Sequence, residues 1–180
     1  VWLYSDLGIV KSYRHMDGFG VNTYVWVNEK GERKFIKYHW KSMQGVEGVN
    51  RKEAEILAGL EPDIAVKDLY EAIEKGDYPQ YELCVQMMDI KESCNLEFDP
   101  LDDTKVWPED RFPLIKVGLM TLDKNPDNFF TEVEQSAFCP ANVINGVELS
   151  ADKMLQGRGF SYTDTQRYRI GINFSELPIN

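Results

Sequence analysis

Histidine is almost missing. Only His15 and His39 occur in the 180 residues, which excludes a metal centre built from several imidazoles. Cysteine is scarce as well: Cys84, Cys94 and Cys139 are odd in number and lack metal-ligand spacing. They read as reduced thiols, and the expected setting is cytoplasmic. Positive charge is in deficit, with 20 Lys+Arg against 30 Asp+Glu and a net charge of −10, and the pI is near 4.7. That argues against a general nucleic-acid binder or a protein of anionic membrane surfaces. No apolar run approaches the roughly 20 residues of a membrane span, and no signal-peptide pattern is read. Repeats and low-complexity tracts are lacking too. The sequence begins at Val1, on the apolar stretch V-W-L-Y-S-D, as if cut from something longer; processing or truncation is an expectation from that start.

What is present suits a globular domain: 43% hydrophobic and 28% charged residues over a length that can bury a sizeable core. Residues 1–9 fit a short helix or a strand equally. Ser12–Gly20 (S-Y-R-H-M-D-G-F-G) reads as a loop with close backbone approach. Val21–Asn28 is β-branched and aromatic and reads as a strand; Asn28–Gly31 is a hairpin turn, and Arg33–Lys41 the returning strand. On the latter, Ile36, Tyr38 and Trp40 face one side, and Lys37, His39 and Lys41 the other. Asn50-x-x-Glu53 is a capping box that opens a helix to about Leu60, and Val66, Leu69, Tyr70 and Ile73 mark a second helix stopped by Gly76. Tyr81–Ile90 and Leu114–Leu122 are further strands. Asn125-Pro126 opens a helix predicted to run through about Ala137. The expected fold is α+β and β-rich, with four strands in two antiparallel pairs. So few strands leave sheet edges that a partner or further sequence must cover.

The last helix carries the chemistry. It is predicted over Ser150–Arg169, with Ser150 as N-cap and Asp152 in the first turn. Met154, Arg158, Tyr162, Gln166 and Arg169 share one face, and Arg158 lies one turn before Tyr162. A free phenol has a pKa of about 10, so holding it as phenolate at pH 7 requires roughly 4 kcal/mol. A guanidinium about 4 Å away supplies roughly that much at an effective dielectric of about 20. A bound iron(III) ion would act in the same direction. The pair can therefore make a tyrosinate metal ligand. The spacing alone equally suits a core tyrosine beside a snorkelling arginine.

The segments S-Y-R-H-M-D-G-F-G, K-V-W-P, E-V-E-Q-x-A-F-x-P-x-N, D-K-M-L-Q-G-R and F-S-Y-x-D-T-x-R-x-R occur in this order. Together they resemble monofunctional haem catalase over essentially the whole sequence. The resemblance implies a b-type haem whose iron is held by Tyr162, with Arg158 hydrogen-bonded to the phenolate. It implies that Arg169 lies near a haem propionate, that Phe138 and Met154 are apolar haem neighbours, and that hydrogen peroxide is converted to water and oxygen. Residues 1–180 then form part of a catalase core domain: the second half of its eight-stranded antiparallel barrel, a connecting segment and the helix under the haem. A homo-oligomer, a tetramer in the family, is implied, with no nucleic-acid or membrane partner.

In the family a distal histidine takes a proton from peroxide and returns it to the other oxygen, and a distal asparagine orients the peroxide. Both come from motifs upstream of the matched region, and neither His15 nor His39 matches the distal position. The chain alone is therefore expected to be inactive. Two other readings stand beside catalase: a structural or interaction fragment, and a catalase-fold haem enzyme acting on organic hydroperoxides. Departures from the family pattern are also present. Asn22 stands where a histidine usually joins a network with Asp152 and Arg158, and Asp103 stands where an apolar residue often lies. Cys139 replaces a common aspartate, and Gly159 a bulky apolar residue. Many members also hold NADP(H). Arg14, His15, His39, Lys41 and Trp107 lie in the matching region, but Leu7 and Glu109 occupy the places of a key arginine and a key histidine. NADP(H) is accordingly not favoured, and the basic strand face reads as solvated.

Overall fold

A computed structural model describes residues 2–6 and 8–180, with Trp2 described by its backbone alone. The strands are β1 (Gly18–Val27), β2 (Arg33–Ser42), β3 (Gln80–Asp89), β4 (Ile115–Thr121) and β5 (Val147–Leu149). They form one sheet in the order β4-β3-β2-β1-β5. The helices are α1 (Arg51–Leu60), α2 (Ile64–Glu74) and α3 (Lys153–Arg169). The mixed α and β composition matches expectation, but two separate strand pairs do not: a fifth strand adds to β1. β5 is antiparallel to it, with Tyr24 opposite Leu149 and Trp26 opposite Val147. Three residues are too short to show alternation in sequence. What permits β5 is Gly146, at φ +88°, where a Cβ would sit 3.3 Å from the Val27 carbonyl oxygen.

Local signals otherwise behave as chemistry requires. The β1–β2 turn is closed by Asn28, whose Oδ1 accepts from the Lys30 and Glu32 N–H groups at 3.0 and 2.9 Å. Gly31 takes the left-handed conformation there, at φ +77°. The capping box of α1 is complete, with Glu53 N–H on Asn50 Oδ1 and Asn50 N–H on Glu53 Oε2, both 3.1 Å. The segment read as a loop before residue 21 does contain close backbone approach, but β1 already begins at Gly18. The residues at the start form a 3₁₀ turn at Trp2–Tyr4.

The helix predicted from Asn125 to Ala137 is not formed. Only a π-helical turn appears, at Phe130–Glu134. Asn125 is drawn elsewhere: its Nδ2 donates to Tyr70 O and Glu74 Oε1 at 3.0 and 2.9 Å, at the end of α2. Asn128 caps the shorter turn instead, accepting from Thr131 N–H at 3.0 Å.

The chain divides into two compact units. The first (residues 1–19, 39–84 and 115–125) contains α1, α2 and β4. Arg14 fastens it internally, donating to both Asp68 oxygens at 2.8 and 2.9 Å and to Asp77 at 3.0 Å. The second (residues 20–38, 85–114 and 126–180) contains α3 and β5. Its core includes Met88, Trp107 and Phe112, flanked by Phe35, Leu96 and Phe98. Gln86 Nε2 donates to the Trp107 and Phe112 carbonyls at 3.1 and 2.6 Å, so the stretch between β3 and β4 is tied down by a buried side chain.

The basic face of β2 is not solvated throughout. Lys37 is 5% exposed. Its Nζ donates to Lys105 O at 3.0 Å and lies 5.3 Å from the Trp107 ring centroid. Burial lowers its pKa, against the opposing pull of Asp103, Asp152 and Asp102. Trp107 is 1% exposed, so Trp107→Ala should cost about 3–5 kcal/mol, measured by urea unfolding.

Candidate functional site

The site lies in the second unit and is built from the start of α3 outward. The sequence places the helix cap at Ser150; in the structure Asp152 takes it, because its Oδ1 can reach the Met154 and Leu155 N–H groups, at 2.9 and 3.0 Å. Ser150 instead donates to the Thr23 carbonyl and accepts from Asp152 N–H. The other Asp152 oxygen faces β1, accepting from Asn22 Nδ2 at 3.0 Å and Thr23 N–H at 3.2 Å. One carboxylate thus starts the helix and pins it to the sheet.

Six residues after this cap, Arg158 is held between two oxygens. Its Nη1 donates to Asn22 Oδ1, and its Nη2 donates to the Tyr162 hydroxyl at 3.2 Å. The guanidinium carbon is 5.0 Å from the Tyr162 ring centroid, so charge and ring face also attract. The Asn22 amide nitrogen has a second acceptor, Asp103 Oδ2, at 2.9 Å. The chain of contacts therefore runs Tyr162–Arg158–Asn22 and then forks to Asp152 and Asp103.

The two carboxyls differ. Burial raises the Asp152 pKa, but hydrogen bonds from Asn22, the Leu155 and Thr23 N–H groups and Asp103 outweigh it and bring the net value down. Asp103 is pushed up to about 6 by burial, then by its hydrogen bond with Asp152 and that carboxylate's charge; Lys37 and Arg158 oppose the shift. Its Oδ1 is buried without a hydrogen-bond partner. Asn22 and Asp103 were visible in sequence only as departures from a pattern. That they meet across 81 positions could not be read from spacing.

The remaining members of the predicted set are placed as follows. Tyr162 is half-buried. Phe138 and Met154 are 76% and 60% exposed. Phe138 is carried beside the Tyr162 turn, since its neighbour Cys139 touches the Gly159 carbonyl and Thr163 Oγ1 at 3.9 and 3.5 Å. Arg169, at the far end of the face, donates to the Glu134 and Ser136 carbonyls and to Gln166 Oε1. Gln166 itself is buried.

The donor chemistry fits a ferric haem. A phenol oxygen facing a guanidinium is a hard donor of the kind that suits iron(III), and the exposed Met154 and Phe138 offer surface that a flat apolar group would cover. Among the described residues, no group of three or more His, Cys, Asp or Glu side chains could hold a metal ion.

The residues in the region that matches an NADP(H) site have other partners. Arg14 is paired with Asp68 and Asp77, and Lys41 donates to Asp17 at 3.0 Å. The His39 ring meets Phe19 edge-on, and Trp107 lies in the core of the second unit. Leu7 lies outside the described residues.

Comparisons with known proteins identify the family. The family described as Catalase matches residues 1–180. Catalase A of Pseudomonas putida is 49% identical over 178 residues, covering 99% of this chain and 37% of its own length. A catalase of Streptomyces coelicolor is 52% identical over 179 residues, with coverage of 99% and 37%. The solved structure of catalase A from Saccharomyces cerevisiae superposes with a TM-score of 0.96 at 43% identity, covering 99% of this chain and 37% of that one. The chain thus spans little more than a third of the length of these relatives. A family match along its whole length, relatives near half identity and a shared backbone carry one conclusion: this chain belongs to the catalase family.

Proposed function

We propose that the protein to which this chain belongs disproportionates hydrogen peroxide to water and oxygen, using a haem b held through Tyr162. The observation that carries this reading is the Arg158 Nη2 to Tyr162 hydroxyl contact of 3.2 Å in a chain of this family. When bound, the haem iron supplies the redox chemistry on peroxide. The chain's own residues do the rest of the work on this side. Arg158 holds a positive charge 3.2 Å from the phenol oxygen and fixes its position. Asp152 fixes the start of α3 and, through Asn22, the direction of Arg158. Met154 and Phe138 would pack on the apolar body of the haem and exclude water from it. Arg169, anchored to two carbonyls, would present a cation to a haem carboxylate. A homo-oligomer and a cytoplasmic setting belong to the same proposal; Cys84, Cys94 and Cys139 are all free thiols.

Proton transfer on peroxide is not assigned to these residues. His15 Nδ1 is bonded to the Gly45 carbonyl at 3.2 Å, and the His39 ring packs edge-on against Phe19. An acid–base group contributes about 10²–10⁴ in rate. The full-length protein is therefore expected to evolve oxygen from peroxide at least about 100-fold faster than residues 1–180 alone. Equal rates in an oxygen-electrode assay would show that this chain carries the complete machinery. No oxygen from the haem-loaded full-length protein would overturn the proposal.

A further inference from the structure

The network behind Arg158 contains one carboxyl more than is needed to place it. Asn22 suffices as a bridge: its Oδ1 accepts from Arg158, and one Nδ2 hydrogen reaches Asp152. The second hydrogen goes to Asp103, so a single amide nitrogen serves two carboxyl oxygens, at 3.0 Å for Asp152 and 2.9 Å for Asp103. Two such groups repel each other when both are ionised, so one keeps its proton to a higher pH than the other. Hydrogen-bond counting decides which. Asp152 accepts from the Thr23, Met154 and Leu155 N–H groups, all of which favour its charged form. No donor reaches the buried Asp103 Oδ1.

We propose that Asp103 is a positioning residue for the Tyr162 ligand: it holds a proton against Asp152, and release of that proton places a second negative charge behind Asn22 that weakens the hold of Arg158 on Tyr162. The proposal rests on the haem reading above for its consequence, though not for the proton itself. The charged and titratable groups around the pair are Asp152 on the cap of α3, Arg158 on α3, Lys37 on β2 and Tyr24 on β1, with Asp102 acting on Lys37. Lys37 and Arg158 oppose the raised value of Asp103 but do not cancel it; it stays at about 6. In this chain Asn22 links Asp152 to Arg158, and Asp103, bonded to the same amide nitrogen, is the group beside that link that can gain or lose a proton.

The test uses the full-length protein loaded with haem. The iron–phenolate charge-transfer band should shift with pH, with a midpoint near 6. In Asp103→Asn, whose amide mimics the protonated carboxyl, the band should stay at the wild-type acid position at every pH. Asp103→Leu serves as the second variant and should also be pH-independent. In parallel, pH-difference infrared spectra of the wild type should show a protonated-carboxyl stretch lost with the same midpoint, and Asp103→Asn should lack it. A wild-type band that does not move with pH, or a midpoint that survives in Asp103→Asn, overturns the positioning role. Absence of any phenolate band in the wild type would sink the ligand reading instead. The infrared signal then still decides whether Asp103 holds the proton.

Discussion

Tyr162→Phe in the full-length protein is expected to abolish the charge-transfer bands of iron(III) phenolate and to weaken haem binding. The loss should exceed the roughly 10- to 100-fold that removing a supporting contact to a metal group costs, because a ligand atom itself is removed. The fold should survive. The hydroxyl's contact is with Arg158 at 3.2 Å, and Arg158 keeps its bond to Asn22, so the stability change should stay within about 1–2 kcal/mol. That separation makes the variant informative: spectral loss without unfolding is the signature of a ligand rather than of a core tyrosine. A full haem spectrum with unchanged bands would refute the assignment. Arg158 cannot substitute as ligand, because a guanidinium has no free lone pair at neutral pH.

Asp152→Ala should be the most damaging polar substitution in the second unit, costing on the order of 3–5 kcal/mol. Loss of a helix N-cap accounts for about 1–2 kcal/mol. The buried Thr23 N–H and one Asn22 hydrogen lose their acceptor, at about 1–3 kcal/mol for such a group. Asp152 is 1% exposed, so water cannot replace the carboxylate without rearrangement. Urea unfolding reads the loss, and a change below about 1 kcal/mol would show that the cap and the Asn22 bridge are not essential to the fold. The pH dependence has two parts of opposite sign. The Asp152 pKa is lower in the folded state, so its stabilisation is present above the unfolded value of about 4 and is lost as pH falls through the folded one. Asp103 is raised to about 6, so the folded state is favoured while Asp103 is protonated, and stability falls as pH rises from about 4 to 6. This pair should therefore favour the folded state most on the acid side of pH 6. Removing Asp152 also removes the neighbour that helps raise Asp103, so the variant's stability should depend less on pH near 6.

Several elements were legible because their determinants are local. The β1–β2 hairpin follows from Asn28 and Gly31, and α1 from Asn50 and Glu53, since each turn or cap is closed by residues a few positions apart. The Arg158–Tyr162 contact was legible for the same reason: a separation of four on a helix brings the two side chains together whatever surrounds them. Errors arose where a distant partner competed for a group. Asn125 looked like a helix cap but binds the end of α2, and Ser150 looked like a cap but binds the Thr23 carbonyl. β5 was missed because three residues carry no period, and the edge of β1 is what recruits them.

By itself, then, the sequence determined the strand and helix signals, the tyrosine–arginine pair and, through the order of its motifs, the family. Helical periodicity and capping are short-range geometry and survive any packing. Only the tertiary structure decided what stands behind Arg158. Asn22 comes from β1, Asp103 from the connection after β3, and Asp152 from the start of α3; their meeting depends on where the sheet and helix lie. Burial then separates the two carboxyls in acidity, an effect of solvent exclusion that no sequence spacing encodes.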